Sequence, residues 1–196
     1  MLQNFKLIKA GADVTPLLSA LDREQHLFDQ ITARQNAPGS PHADTKAIFL
    51  RWAKSQTIEA AFTEIPAIEY PALEALPEAR ALIAEVVQAV GAKELGRVLI
   101  TALKPGGKIT RHADEGMVAD HYERFHVALQ SDDHNLFFSY RPDGTGEVVH
   151  MKAGQIWWFN HKRDHELSNA SDRVRIHLIV DCVAPEYRKE RDAISA

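Results

Sequence analysis

Apolar residues recur at helical spacing in the first half of the chain and at strand spacing in the second. Between Asp13 and about Ala33 the positions Leu17, Leu18, Leu21, Phe28 and Ile31 fall on one side of a helix, with Thr15 available as a cap and Pro16 at the first helical position. Residues 36–44, NAPGSPHAD, carry turn chemistry throughout. Ala47–Trp52 is short and mostly apolar and predicts a first strand. Pro66 and Pro71 punctuate the next stretch. Leu76–Val90 then predicts a second helix, with Leu82, Ile83, Val86, Val87 and Val90 on one side and Gly91 as its stop.

Past residue 96 the pattern changes to short runs rich in β-branched and aromatic residues: Val98–Leu103, Lys108–Arg111, Arg124–Leu129, Leu136–Arg141, Glu147–Met151, Gln155–Phe159 and Val174–Cys182. PGG at 105–107, SDD at 131–133 and PDGTG at 142–146 separate them as turns. Strands at this spacing without intervening helices predict a mainly β, α+β chain built on a jelly-roll or cupin-like barrel, with the N-terminal helices packed on one face of the sheet. The length of 196 residues fits one domain, with 1–95 as its helical part and 96–186 as its β core.

Apolar residues make up 45% and charged residues 26%, which is ordinary for a soluble globular protein. A formal net charge of -4 gives no electrostatic reason to expect nucleic acid or an anionic membrane as partner. The N-terminus, MLQNFKLIKAGADV, lacks the apolar stretch of a signal peptide, and no segment approaches the roughly 20 apolar residues that cross a bilayer. The single cysteine, Cys182, follows an apolar run and reads as a partly buried, inert thiol. These features predict a cytoplasmic protein.

Three groups in the β half point to chemistry. His112 and Asp114 are two apart, so on a strand they reach toward one point. His165 lies far downstream, after the Gln155–Phe159 strand. Two histidines and one carboxylate form the facial triad of non-haem Fe(II) oxygenases, which leaves positions for oxygen and a bidentate 2-oxo acid. Arg175 sits on the last apolar run between Val174 and Ile176 and so points away from both. If those two face the outer core, Arg175 points into the barrel, where an unpaired charge is costly and an anionic ligand is implied. It could instead pair with Asp172 or Glu166 at the surface. Arg124 and His126 form another same-face pair, for which a solvated edge strand is the alternative. His150 and His177 read as surface or packing residues.

The stretch from Thr101 to Glu186 resembles the aspartyl/asparaginyl β-hydroxylase family. The matching pieces are Lys104-Pro105-Gly106 ahead of His112, RFHVAL at 124–129, the Gly154 turn into WWFNHKRDHE, RVRIHLIVD at 173–181 and Pro185-Glu186. The resemblance implies a double-stranded β-helix that uses Fe(II) and 2-oxoglutarate to hydroxylate an unactivated carbon. It implies that His112 and His165 bind the metal, and that Arg175 holds the distal carboxylate of 2-oxoglutarate, with Thr101 donating to the same group. Arg124 and His126 would then sit beside the carboxylate nearest the metal. The animal enzymes have glycine where this chain has Asp114, so the triad is complete here and their substrate does not transfer. The expected substrate is an amino-acid side chain, free or in a peptide. His42, Arg51 and Arg163 are candidates to contact it near the mouth.

Two other readings compete. HELSN at 165–169 has the His-x-x-x-Asn spacing seen late in cupins, which would make the chain a metal-binding isomerase, a 2-oxoglutarate-independent oxygenase or a sensor. Against it, His112-x-Asp114 stands where cupins carry His-x-His. A degenerate barrel serving only as an interaction module would not be expected to keep all four groups at working spacing.

Overall fold

Alternation in the β half becomes two antiparallel sheets that sort their residues by period two. The computed structural model describes residues 2–195. In chain order the elements are β1 (Phe5–Lys9), α1 (Thr15–Arg23), a 3-10 turn (Gln25–Asp29), α2 (Ala33–Asn36), β2 (Thr45–Ala53), α3 (Ala60–Thr63), β3 (Ala67–Glu69), α4 (Pro71–Ala75) and α5 (Ala79–Ala89). There follow β4 (Glu94–Leu103), β5 (Lys108–His112), α6 (Met117–His121), β6 (Glu123–Gln130), β7 (Asn135–Tyr140), β8 (Gly146–Val149), β9 (Ile156–Phe159), β10 (His165–Asn169), β11 (Arg175–Val183) and α7 (Pro185–Ser195). The larger sheet runs β1-β9-β6-β11-β4-β2-β3 and the smaller β5-β10-β7-β8. This is the jelly roll that the strand spacing predicts.

On the larger sheet one face meets the helices. Phe125 and Val127 of β6, Trp158 of β9 and Leu178 and Val180 of β11 pack with Leu17 and Leu21 of α1, Leu73 of α4 and Leu82 and Val86 of α5. The alternate residues face the smaller sheet, where Ala128, Trp157 and Phe159 meet Ile109, Phe137 and Leu167. Trp157 and Trp158 therefore split between the two cores, as adjacent strand residues must. Cys182 is free and buried in the helix-covered layer. Polar residues that share the inner face, Arg124 and His126 on β6 and Arg175 and His177 on β11, are carried into the barrel by the same alternation.

The predicted helices are shorter than the periodicity suggests. The first stops at Arg23 because Leu27, not Phe28, is the next fully buried position, and the 3-10 turn reaches it. The second begins at Ala79 and not at Leu76, because Pro77 has no N–H to donate and its ring bars a helical residue before it, and it ends at Ala89. Residues 1–95 are also less helical than expected, since β1 pairs with β9 and β2 with β4 inside the larger sheet. β10 is a strand in its own right, whereas the sequence placed His165 only downstream of one.

Candidate metal centre and adjoining chamber

The pairing of β5 with β10 sets His165 directly opposite His112. The two imidazole rings lie 4.4 Å apart, centroid to centroid. Asp114 follows the end of β5, where its backbone N–H donates to the His161 carbonyl at 2.9 Å. The result is one cluster in which a nitrogen from each histidine and an oxygen of Asp114 all lie within 4.8 Å of one another.

Backbone carbonyls fix both rings. The Nδ1 of His112 lies 2.7 Å from the Thr110 oxygen, and the Nδ1 of His165 lies 2.8 Å from the Arg163 oxygen. A carbonyl can only accept, so each Nδ1 carries the proton and each Nε2 keeps a lone pair. The Nε2 of His112 is buried without a hydrogen-bond partner. Burial, the main cause, pushes His165 down to about 4, so that lone pair is free at neutral pH. Burial alone would raise Asp114, but Arg124, His165 and His161 outweigh it and hold the carboxyl well below the usual range. Two imidazoles that turn their Nε2 atoms to one point, with one carboxylate beside them, fit a divalent iron.

Arg124 lines the same space as the cluster and is engaged there by two protein carboxylates. Its Nε and Nη2 bind both oxygens of Asp181 at 2.8 and 2.9 Å, and its Nη1 binds the Oδ2 of Asp114. The guanidinium thus aims Asp114, whose Oδ1 lies 3.8 Å from the Nε2 of His112. Asp181 was missed in the sequence, although it falls on the inward face of β11 with Arg175 and His177 and could have been found from that alternation.

Arg175 is also inside, with 4% of its surface exposed, and no carboxylate among the described residues lies within 4.0 Å of it. Its Nη2 donates to the Nδ1 of His177 at 3.1 Å. Burial pushes it down to about 9, still charged at neutral pH. Neither surface partner considered for it is used; Glu166, for instance, accepts from the Tyr140 hydroxyl at 2.5 Å. Because Arg175 can only donate, His177 Nδ1 accepts. The contact of 3.3 Å between the Nδ1 atoms of His126 and His177 then puts the proton of His126 on Nδ1 and leaves its buried Nε2 as an acceptor. Arg175, Thr101, His126 and the three clustered groups line one chamber, closed by the rings of Phe137 and Phe159.

The substrate candidates divide. His42 is at the centre: its ring stands edge-on to His112 at 5.0 Å and its Nε2 accepts from Arg34 at 2.9 Å. Arg51 is elsewhere, and its expected place at the mouth is corrected here. It donates to the carbonyls of Gly96 and Ala67 at 3.1 and 3.0 Å, tying β2 to its neighbours. A register shift between Phe49 and Arg51 turns it that way. Arg163 offers its backbone oxygen to His165, while its side chain lines neither the chamber nor the groove described below. Arg34 was missed; TARQN has no periodicity or motif that could have marked it.

A double-stranded β-helix carrying a His-x-Asp…His cluster beside a buried arginine defines a class, jelly-roll proteins with a candidate metal site inside the barrel. Within it, the chain belongs to the aspartyl/asparaginyl β-hydroxylase family, whose profile matches residues 18–185, and it is a hydroxylase. No curated protein sequence is detectably similar to it. Among solved structures it is similar to a prolyl-4-hydroxylase from Pseudomonas putida, with a TM-score of 0.56, 15% identity and coverage of 92% of each chain. A prolyl hydroxylase from Trichoplax adhaerens, in complex with a peptide fragment of hypoxia-inducible factor, gives a TM-score of 0.60 at 12% identity, covering 99% of this chain and 88% of that one. A 2-oxoglutarate-Fe(II) oxygenase family oxidoreductase from Burkholderia pseudomallei gives 0.56 at 15% identity, over 84% and 80%. At these identities the likeness is one of fold.

Proposed function

We propose that the protein is an Fe(II)- and 2-oxoglutarate-dependent dioxygenase that hydroxylates an unactivated C–H of an amino-acid side chain, free or in a peptide. His112, Asp114 and His165 hold the metal. Arg175 grips the distal carboxylate of 2-oxoglutarate, with Thr101 beside it. The observation that carries this reading is Arg175 itself, a buried cation without a protein carboxylate in the same chamber as the metal cluster. A guanidinium left so is costly to the fold and is best explained by an anion that arrives later.

When bound, the metal and co-substrate supply the oxidising chemistry: one atom of oxygen enters the substrate, the other enters succinate, and carbon dioxide leaves. The protein does the rest. Thr110 and Arg163 carbonyls keep both imidazoles turned toward the metal point, Arg124 keeps Asp114 ionised and aimed, and Phe137 and Phe159 exclude water. The cupin alternative finds no support at Asn169. Its Nδ2 donates to the carbonyls of Leu103, Lys104 and Arg173, and its Oδ1, the atom that could bind a metal, accepts from the Asn135 amide and from Ser171, so the side chain ties neighbouring segments together and takes no part in the metal cluster. A lone buried thiol suits a reducing, cytoplasmic setting, which is part of the proposal.

Thermal shift tests the assignment. Mn(II) should raise the melting temperature, and 2-oxoglutarate or N-oxalylglycine should raise it further, since both bind the native state. His165→Ala should lose both increments, and Arg175→Ala only the second. Survival of the second increment in Arg175→Ala would remove that residue from the co-substrate site.

A further inference from the structure

His112 and Asp114 also floor a second, larger space, a groove of about 530 Å³. Phe49 and Trp52 of β2 wall one side, and Ile58 and Phe62 another. Ile58 and Phe62 are 62% and 48% exposed, which is unusual for large apolar side chains. The wall they stand on is firmly built. Arg97, fully buried and stacked over Trp52 at 4.2 Å, donates to the carbonyls of Ala60, Ala61 and Glu64 and so holds α3 in place. Opposite, Gly116 has φ +91 and passes so close to Phe62 that a Cβ would sit 2.9 Å from its carbonyl oxygen.

At the base of the groove stands Arg34. Its Nη2 donates to His42, while its Nη1 is buried without a partner. The acids that feel its charge, Asp114 and Asp181, are both taken by Arg124, and Glu115 stands out at the exposed rim. The groove thus combines an unsatisfied cation at the metal end with bare apolar walls beyond it.

We propose that the substrate is a small amphipathic carboxylic acid, its carboxylate bound by Arg34 and its apolar body laid against Phe49, Trp52, Ile58 and Phe62. This rests on the reading of His112, Asp114 and His165 as the reaction centre. The volume is that of a small-molecule site, which spans roughly 300–1,000 Å³. An amino acid bearing a bulky apolar side chain or an N-acyl group has the required chemistry. Free aspartate or asparagine has no apolar body and would leave the walls bare. Because only the His42 ring separates Arg34 from His112, oxidation falls on a carbon close to the carboxylate and not at the far end. There the C–H bond breaks and a C–O bond forms with one oxygen atom; two electrons from that carbon and two from 2-oxoglutarate together reduce O2.

The experiment uses protein loaded with Mn(II) and N-oxalylglycine, which cannot turn over. N-acetyl-leucine, N-acetyl-phenylalanine and medium-chain fatty acids are titrated, each against its methyl ester, with binding read by calorimetry. At least one acid should bind roughly tenfold or more tightly than its ester, and Arg34→Gln should erase that preference. Phe62→Ala should weaken acid and ester alike. Equal binding of acids and esters, an unchanged preference in Arg34→Gln, or binding of peptides but of none of these acids would overturn the proposal. The wild-type thermal increment with Mn(II) and N-oxalylglycine is the control. If it is missing, the reaction-centre reading fails; if it is present without acid preference, only the substrate inference fails.

Discussion

Two arginines enter the barrel from neighbouring strands and meet opposite surroundings. Arg124 on β6 is clasped by Asp114 and Asp181, whose charges outweigh its burial and drive it further above the ordinary arginine range. Arg175 on β11 meets no carboxylate among the described residues, and burial drives it down to about 9. The first is a completed ion network that belongs to the fold. The second is half of one, held ready for a partner. The same residue type on adjoining strands is held by protein acids in one place and left receptive in the other, and what separates the two is where the acids are.

That contrast can be broken most forcefully at Arg124. Arg124→Leu strands the buried Asp181 and the half-buried Asp114, and urea denaturation should show a loss of about 3–5 kcal/mol. A loss under about 1 kcal/mol would show that the carboxylates do not depend on it. Arg175→Leu should do the reverse: stability unchanged or raised by up to about 4 kcal/mol, with 2-oxoglutarate affinity reduced roughly a hundredfold in calorimetry. Destabilisation matching that of Arg124→Leu would erase the distinction.

The histidines attached to Arg175 give a smaller, graded effect. Burial, and after it Arg175, holds His126 and His177 neutral, well below their ordinary value near 6.5. Their folded values are depressed, so the unfolded chain takes up protons first as pH falls. The stability they support is full above about pH 6.5 and declines below it, by about 1.4 kcal/mol per pH unit for each ring. Denaturation of the ligand-free protein at pH 7 and 5.5 checks this, and a flat profile would contradict it. Smallest of all is Arg51→Ala, on a surface tie to Glu69 at 3.5 Å and two carbonyls. It should cost no more than about 1 kcal/mol and leave both thermal increments as they are. Loss of either increment would return Arg51 to the site.

Period-two alternation let the sequence alone put Arg124 and His126 on one face of a strand and set Arg175 opposite Val174 and Ile176, and His-x-Asp placed two metal groups together, because both are properties of a few adjacent residues. The resemblance to the family then named the co-substrate. What it could not supply were partners. That Arg124 meets Asp114 and Asp181 follows from β6 lying beside β11 in the sheet and from Asp114 hanging off the end of β5. β10 was unrecognised because its polar HELSN pattern reads as a strand only when β5 and β7 flank it. Arg34 comes from a short helix without periodicity, and Arg51 was misplaced by a register shift invisible in local spacing. Residue order fixes which way a strand side chain points, since that depends on its own backbone. Tertiary structure alone decides which charges meet there, since that depends on segments far apart in the chain arriving side by side.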